Sequence, residues 1–301
     1  MKIVFFGSDD FGVDILKILN QSIDKNKDQI FIITRSSKRS GRGMKILKNK
    51  VSIFADEANL TYLECDDFKD SELNLQINNL NFDLMFVASF GKIIPEWLIN
   101  KAKYTCNVHP SMLPKWRGAA PISRSIESGE EISEVCLIKI HKELDAGDII
   151  LRKDFQIEIN DNYQNVYQKV IQISKDLIFL FLKNIEDLYN NSTPQVINSE
   201  TYAYKITNDE LMIDFEQDVK LIYNKIRSKP TDKCCYFIDT NGMKIKIIEA
   251  YFVLENHKEV NGNIDKKGGR IACLGGFIVP KKLQKEGKGA VNAKDFWNGY
   301  R

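Results

Sequence analysis

Asn107 and His109 stand two residues apart in the stretch "CNVHPSMLPKWRGAAP", which begins at Cys106. The segment "YTCNVH" reads as a short strand, and in a strand residues two apart project from the same face. Both polar side chains then point one way while Val108 points the other. Pro110 and Pro114 end the strand and stiffen the loop beyond it, and Gly118 gives the backbone room to turn. Further on, "CLIKIHKELDAGDII" reads as a strand, a turn holding Asp145, Gly147 and Asp148, and a returning strand. Asn, His and Asp suit acyl transfer to an amine. The amide donates to a developing oxyanion, the imidazole moves protons near neutral pH, and the carboxylate orients the imidazole or accepts the amine's proton. An oxyanion donor contributes roughly two to three powers of ten in rate, and a positioned acid or base roughly two to four. No covalent nucleophile is required. His141 neighbours Asp145 in sequence, but the turn does not decide which way it faces, so it stays outside this set.

These residues need a frame. "KIVFFG" followed by "FGVDILKIL" reads as strand, turn and helix. The rhythm continues through "IFIIT" (30–34), the helical "KVSIFADEAN", "LTYLEC", a further helix and "DLMFVAS" (83–89). Such alternation predicts an α/β, Rossmann-like, doubly wound and mostly parallel sheet, with ligands bound beyond the carboxyl ends of the strands. The glycines of "GSDDFG" lack the G-x-G-x-x-G spacing, so a dinucleotide site is rejected. "NVYQKVIQISKDLIFLFLKNIEDL" predicts one long amphipathic helix, and the polar, aperiodic stretch after it, "YNNSTPQVINSETYAY", is the candidate linker. Beyond come one helix, "QDVKLIYNKIRSK", and short runs separated by Asn-Gly and Gly-Gly turns, which predict a small OB-like β-barrel. The expected domains are 1–188, a linker over 189–205, and 206–301.

"NVHPSMLPKWRGAAPI" (107–122) followed by "LDAGDII" (144–150) resembles the signature of the folate-dependent formyltransferases, with "RGAAPI" resembling the branch that acts on aminoacylated initiator tRNA. The resemblance runs from "VFFGSDDFG" through "VASFGKIIP" (87–95) to the closing "GKGAVNAKDFWNGY". It implies that Asn107, His109 and Asp145 carry formyl transfer from 10-formyltetrahydrofolate to an amine. It further implies that Ser111, Met112, Leu113 and Pro114 contact the folate, and that backbone around Phe90, Gly91 and Ile93 walls its cleft. No metal is implied.

Charge is unevenly distributed in a chain whose net charge is only +2. "RSSKRSGRGMKILKNK" (35–50) holds seven basic residues and no acidic one. The same resemblance makes it the insertion that reaches the tRNA acceptor end, with Lys38, Arg39, Arg42 and Lys45 as contacts and Gly41-Arg42-Gly43 matching the family's glycine-arginine-glycine. It departs from the family in its lead-in, where "RSSKRS" replaces Asp-Arg-Pro, and again at "RSKPTDKCCYF" (227–237), where the family shows Pro-Trp-Pro. Lys266, Lys267, Arg270, Lys281, Lys282, Lys285, Lys288 and Lys294 against Glu286 suit a surface that cradles RNA backbone.

Six cysteines without a C-x-x-C pair predict reduced, mostly buried thiols. No apolar run spans a bilayer and the first residues do not form a signal peptide, so a cytoplasmic monomer is expected, without membrane contact. Two competing readings are a sugar nucleotide N-formyltransferase, which needs a nucleoside diphosphate pocket but no basic RNA surfaces, and a non-enzymatic RNA-binding protein. A glycinamide formyltransferase is disfavoured by the extra carboxyl-terminal domain.

Overall fold

The computed structural model describes residues 1–40, 45–69, 71–265 and 269–299. In chain order come β1 (Lys2–Phe6), α1 (Asp10–Ser22), β2 (Gln29–Thr34), the short strands β3 (Lys38–Ser40) and β4 (Lys45–Leu47), α2 (Lys50–Glu57), β5 (Thr61–Glu64) and α3 (Ser71–Asn78). They are succeeded by β6 (Leu84–Val87), α4 (Glu96–Ile99), β7 (Tyr104–His109), β8 (Arg117–Gly118), α5 (Pro121–Glu127), β9 (Ile132–Ile138), β10 (Ile149–Gln156), α6 (Tyr163–Lys183) and α7 (Ile185–Asn190).

The chain divides into two compact units. One comprises Met1–Ala119, Glu134–Phe155 and Lys169–Tyr202; the other comprises Ala120–Ser133, Gln156–Gln168 and Ala203–Arg301. The first unit is built on a seven-stranded sheet in the order β10-β9-β7-β6-β1-β2-β5. From β5 to β7 neighbours are parallel, and β9 runs antiparallel to β7. The chain moves outward from β1 through β2 to β5, then returns to the other side of β1 with β6 and β7, so the switch point lies between β1 and β6. Strands this apolar are buried on both faces: Val4, Phe5, Phe6, Ile32, Ile33, Met85 and Phe86 are inaccessible. Each such side chain contributes about 1.5–3 kcal/mol by leaving water. At the switch point the chain passes so closely that a Cβ on Gly7 would lie 2.9 Å from the Ala88 carbonyl oxygen. Asp9 caps α1, accepting from the Gly12 N–H at 3.1 Å.

The helix expected as one continuous span breaks at Asn184, whose φ of −133° takes it out of the helical region and separates α6 from α7. Apolar periodicity continues across the break, which is why the sequence pattern hides it.

The second unit holds β11 (Tyr202–Ala203) in part, α8 (Val219–Arg227), β12 (Tyr236–Ile238), β13 (Lys244–Leu254), β14 (Ile264–Asp265), β15 (Arg270–Cys273), β16 (Gly276–Lys285), β17 (Ala290–Asn292) and α9 (Ala293–Asn298). Its antiparallel sheet runs β12-β13-β16-β15-β14, with β17 paired to β16. Val219, Ile222, Tyr223 and Ile226, at helical spacing on α8, pack with Ile245, Ile247, Ile278 and Leu283 in one apolar cluster. Among the described residues no helix is long and apolar enough to cross a membrane.

Candidate functional site

Strand β7 lies between β6 and β9, with Asn107 opposite Val87 on one side and Ile138 on the other. Its carboxyl end therefore sits beside the switch point. His109, its last residue, is 3% exposed. Asp145 comes from the turn between β9 and β10 and has a φ of 51°, in the left-handed region that aspartate tolerates better than most residues.

The three side chains meet. Asn107 Nδ2 donates to Asp145 Oδ1 at 3.1 Å, and His109 Nδ1 lies 3.5 Å from Asp145 Oδ2. Oδ2 also accepts the Gly118 backbone N–H at 2.8 Å. The other imidazole nitrogen, Nε2, is 2.9 Å from the Trp116 carbonyl oxygen. A carbonyl only accepts, so Nε2 carries a proton, and the other ring nitrogen, Nδ1, is the one on the carboxylate side. Asn107 has two amide protons and Asp145 takes one, which leaves a donor for an incoming oxygen. The arrangement can hold an oxyanion and exchange a proton between carboxylate and imidazole.

Residues outside the sequence-read set complete it. Gln195 Nε2 donates to the carbonyl oxygens of Asp145 and Gly147, each at 2.8 Å. Its Oε1 accepts from Arg117 Nε at 3.2 Å and Nη2 at 2.7 Å. Thr193 exchanges backbone hydrogen bonds with Ile149 at 2.8 and 2.9 Å, and Thr201 Oγ1 accepts the Trp116 N–H at 2.9 Å. The stretch expected as a linker is thus bound along the first unit as far as Tyr202. Nothing in its composition signals this, because the contacts are single polar side chains and backbone groups without a period. Gly147 has its own constraint: a Cβ there would stand 1.8 Å from the Lys139 carbonyl oxygen.

The expected folate residues divide. Ser111 is fully buried, donating through Oγ to the Lys115 carbonyl at 2.7 Å, and Leu113 packs with Cys136, Ile138 and Ile149. Met112 and Pro114 are half-buried. Phe90 turns into the core, its ring edge-on to Phe6 at 5.3 Å, so only its backbone is available to a cleft. Gly91 is exposed with φ of 72°, and Ile93 is 85% exposed. The remaining amide donor of Asn107 fits a formyl oxygen, and the exposed Ile93 fits an apolar ring edge. His141 is exposed, and its Nδ1 accepts from the Glu143 N–H at 3.1 Å.

The basic insertion is in part a ribbon. β3 and β4 pair antiparallel, Lys38 opposite Leu47 and Ser40 opposite Lys45. Lys38, Arg39 and Lys45 lie on this backbone, while Arg42, like Lys266 and Lys267, lies outside the described residues. Asn49 fastens the base. Its Oδ1 accepts from the Ser52 N–H at 3.0 Å and lies 3.0 Å from Thr34 Oγ1, while Nδ2 donates to Ser52 Oγ at 2.8 Å and to the Arg35 carbonyl. Glu64 adds a second hold, accepting from the Ser37 N–H and Oγ at 3.0 and 2.6 Å. Among the described residues no group of three His, Cys, Asp or Glu could hold a metal ion.

Comparison with known proteins identifies the family. Residues 1–182 match the formyl transferase family and residues 205–301 match the formyl transferase C-terminal domain. The chain is 33% identical over 302 residues to the methionyl-tRNA formyltransferase of Rickettsia bellii (strain RML369-C), covering 100% of this chain and 97% of that protein. To the methionyl-tRNA formyltransferase of Thermotoga neapolitana it is 32% identical over 305 residues, covering 99% and 95%. Among solved structures it resembles WlaRD, a sugar 3N-formyltransferase crystallised with dTDP and 5-N-formyl-THF, at a TM-score of 0.66 and 24% identity over 96% of this chain and 99% of that one. It also resembles HypX from Aquifex aeolicus in complex with tetrahydrofolic acid, at a TM-score of 0.61 and 18% identity, over 98% of this chain and 46% of that one. These two likenesses establish the fold.

Proposed function

Because the chain belongs to the formyl transferase family, with both its domains matched, we propose that it transfers the formyl group of 10-formyltetrahydrofolate to the amino group of methionyl initiator tRNA. The observation that carries this reading is the convergence of Asn107 and His109 on Asp145 in a chain similar along its whole length to methionyl-tRNA formyltransferases.

Bound folate supplies the formyl carbon. The free N–H of Asn107 takes the formyl oxygen as negative charge grows there. The attacking amine must be neutral at the moment its C–N bond forms, and Asp145 accepts the proton it sheds. The proton released by the amine nitrogen balances the one required by the departing folate nitrogen as the old C–N bond breaks. His109 Nδ1, 3.5 Å from Asp145 Oδ2, is the group through which that proton passes. Ser111, Met112, Leu113 and Pro114, with backbone at Phe90, Gly91 and Ile93, form the folate wall. The basic insertion, through Lys38, Arg39, Arg42 and Lys45, meets the phosphates of the acceptor end, and residues 206–301 add a second RNA contact surface. Association with charged RNA then weakens as salt rises.

The test is formyl transfer from 10-formyltetrahydrofolate to methionyl-tRNA, beside uncharged tRNA, a 4-amino sugar nucleotide and a water-only control. Formylation of the charged tRNA alone, lost in His109→Ala, is the expected result. Transfer to the sugar alone overturns the tRNA assignment, and tRNA binding without turnover overturns the enzymatic one.

A further inference from the structure

Asp145 reaches His109 and Asn107 from a turn in which the residue itself has a left-handed backbone. Such a conformation persists only where its surroundings over-determine it. The carboxylate oxygens are held by Asn107 Nδ2 and the Gly118 N–H, but these bonds act at the tip of the side chain. Beside the local bond from the Lys139 N–H to the Asp148 carbonyl at 2.9 Å, the turn is held by Gln195. Its amide nitrogen spends both protons on the two carbonyls that bracket the bend, those of Asp145 and Gly147, at 2.8 Å each. Its oxygen takes two guanidinium protons from Arg117, at 3.2 and 2.7 Å. Arg117 directly precedes Gly118, the backbone donor to Asp145 Oδ2. One side chain therefore links the turn that presents the carboxylate to the loop that receives it, and its four hydrogen bonds use its whole donor and acceptor capacity along those directions.

We infer that Gln195, acting with Arg117, is a positioning residue for Asp145 that sets the spacing between the carboxylate and His109 and so governs the proton-transfer step rather than substrate binding. The inference rests on the proposed role of Asp145 as the proton acceptor. The 3.5 Å separation of His109 Nδ1 from Asp145 Oδ2 leaves little margin, since a displacement of about 1 Å at a reacting group costs on the order of a hundredfold in rate.

Two substitutions separate the halves of the clamp. Gln195→Glu retains an acceptor for Arg117 but cannot donate to the Asp145 and Gly147 carbonyls, whereas Gln195→Met keeps the length and removes both functions. The expected result is a fall in kcat of about 10- to 100-fold in both variants, with KM for tRNA and folate within about threefold of the parent. The pH profile of kcat shifts in both, because the Asp145–His109 spacing changes. Ile197→Ala is the control, since Ile197 lies two residues beyond Gln195 with its side chain 81% exposed, and it retains parental kcat. The inference is overturned if Gln195→Glu keeps parental kcat and pH profile. It is equally overturned if loss in both variants tracks a rise in KM or a fall in melting temperature that accounts for it. The ratio of variant to parent is read on whichever amine the parent formylates. A parent that ignores methionyl-tRNA therefore sinks the proposed substrate without deciding the role of Gln195.

Discussion

His109 turns Nδ1, not Nε2, toward Asp145: Nδ1 lies 3.5 Å from Oδ2 while Nε2 sits 2.9 Å from the Trp116 carbonyl oxygen. The ring is thereby fixed at one nitrogen and left to exchange its proton at the other. His109→Ala removes both functions and lowers kcat by about two to four powers of ten, with KM for either substrate moving less than about threefold. Steady-state kinetics with each substrate varied in turn checks the split.

Asn107→Ala removes the amide donor and also one of the two bonds that orient Asp145. The expected fall in kcat is about two to three powers of ten. Asn107→Asp, nearly the same shape, does no better, because it sets a second carboxylate against Asp145 where a donor stood. Recovery of activity in that variant would remove Asn107 from the oxyanion role.

Gly147→Ala places a methyl group where the Lys139 carbonyl oxygen already stands, 1.8 Å away. The turn must shift, and Asp145 with it. Activity falls about a hundredfold or more while the second unit's sheet, which contains neither residue, keeps its amide-exchange protection. Hydrogen exchange resolved along the chain distinguishes this from general unfolding.

Asn49→Ala unfastens the base of the basic ribbon and uncaps α2, where Asn49 accepts the Ser52 N–H. The cap alone is worth about 1 kcal/mol. KM for the charged tRNA rises about tenfold and KM for the folate stays unchanged, as measured with each substrate limiting. An equal rise for both substrates would show that the clasp supports the whole cleft and not the ribbon.

Burial pushes the thiols of Cys136 and Cys235 up to about 12 and that of Cys273 up to about 11. An unfolded cysteine ionises near ~8.5, so above that value the unfolded chain releases protons that the folded chain keeps. The stabilisation is complete below about pH 8.5 and is lost as the pH climbs toward 11 and 12. Urea midpoints taken from about pH 8 to about pH 10.5 fall, and Cys136→Ala flattens the slope. At neutral pH a soluble thiol reagent labels Cys234 first, since it is partly exposed and the other five cysteines are buried.

The alternation of apolar runs with helical periods is legible because burial on both faces of a parallel sheet writes itself into every strand. Asn107 and His109 are legible for a related reason: strand geometry puts residues two apart on one face whatever surrounds them. Phe90 is less so, because an aromatic beside a glycine carries no mark of whether its ring enters the core or faces a cleft, and the ring packs on Phe6. The Trp116 carbonyl and the Gly118 N–H are backbone groups, identical in every residue, so no pattern of side chains announces them. Gln195 lies fifty positions from the turn it holds, on a stretch with no repeat to betray its burial face.

The family match to the first domain ends at residue 182 and the next begins at 205. A fragment cut at that first boundary would keep Asn107, His109 and Asp145 and would look complete by inventory. It would lack Thr193, Gln195 and Thr201, and with them the hydrogen bonds to the Ile149 strand, the Asp145 turn and Trp116. For anyone exchanging the carboxyl-terminal domain with that of a relative, the workable splice lies beyond Tyr202, because the intervening stretch is part of the reaction chamber's own scaffolding and not a passage out of it.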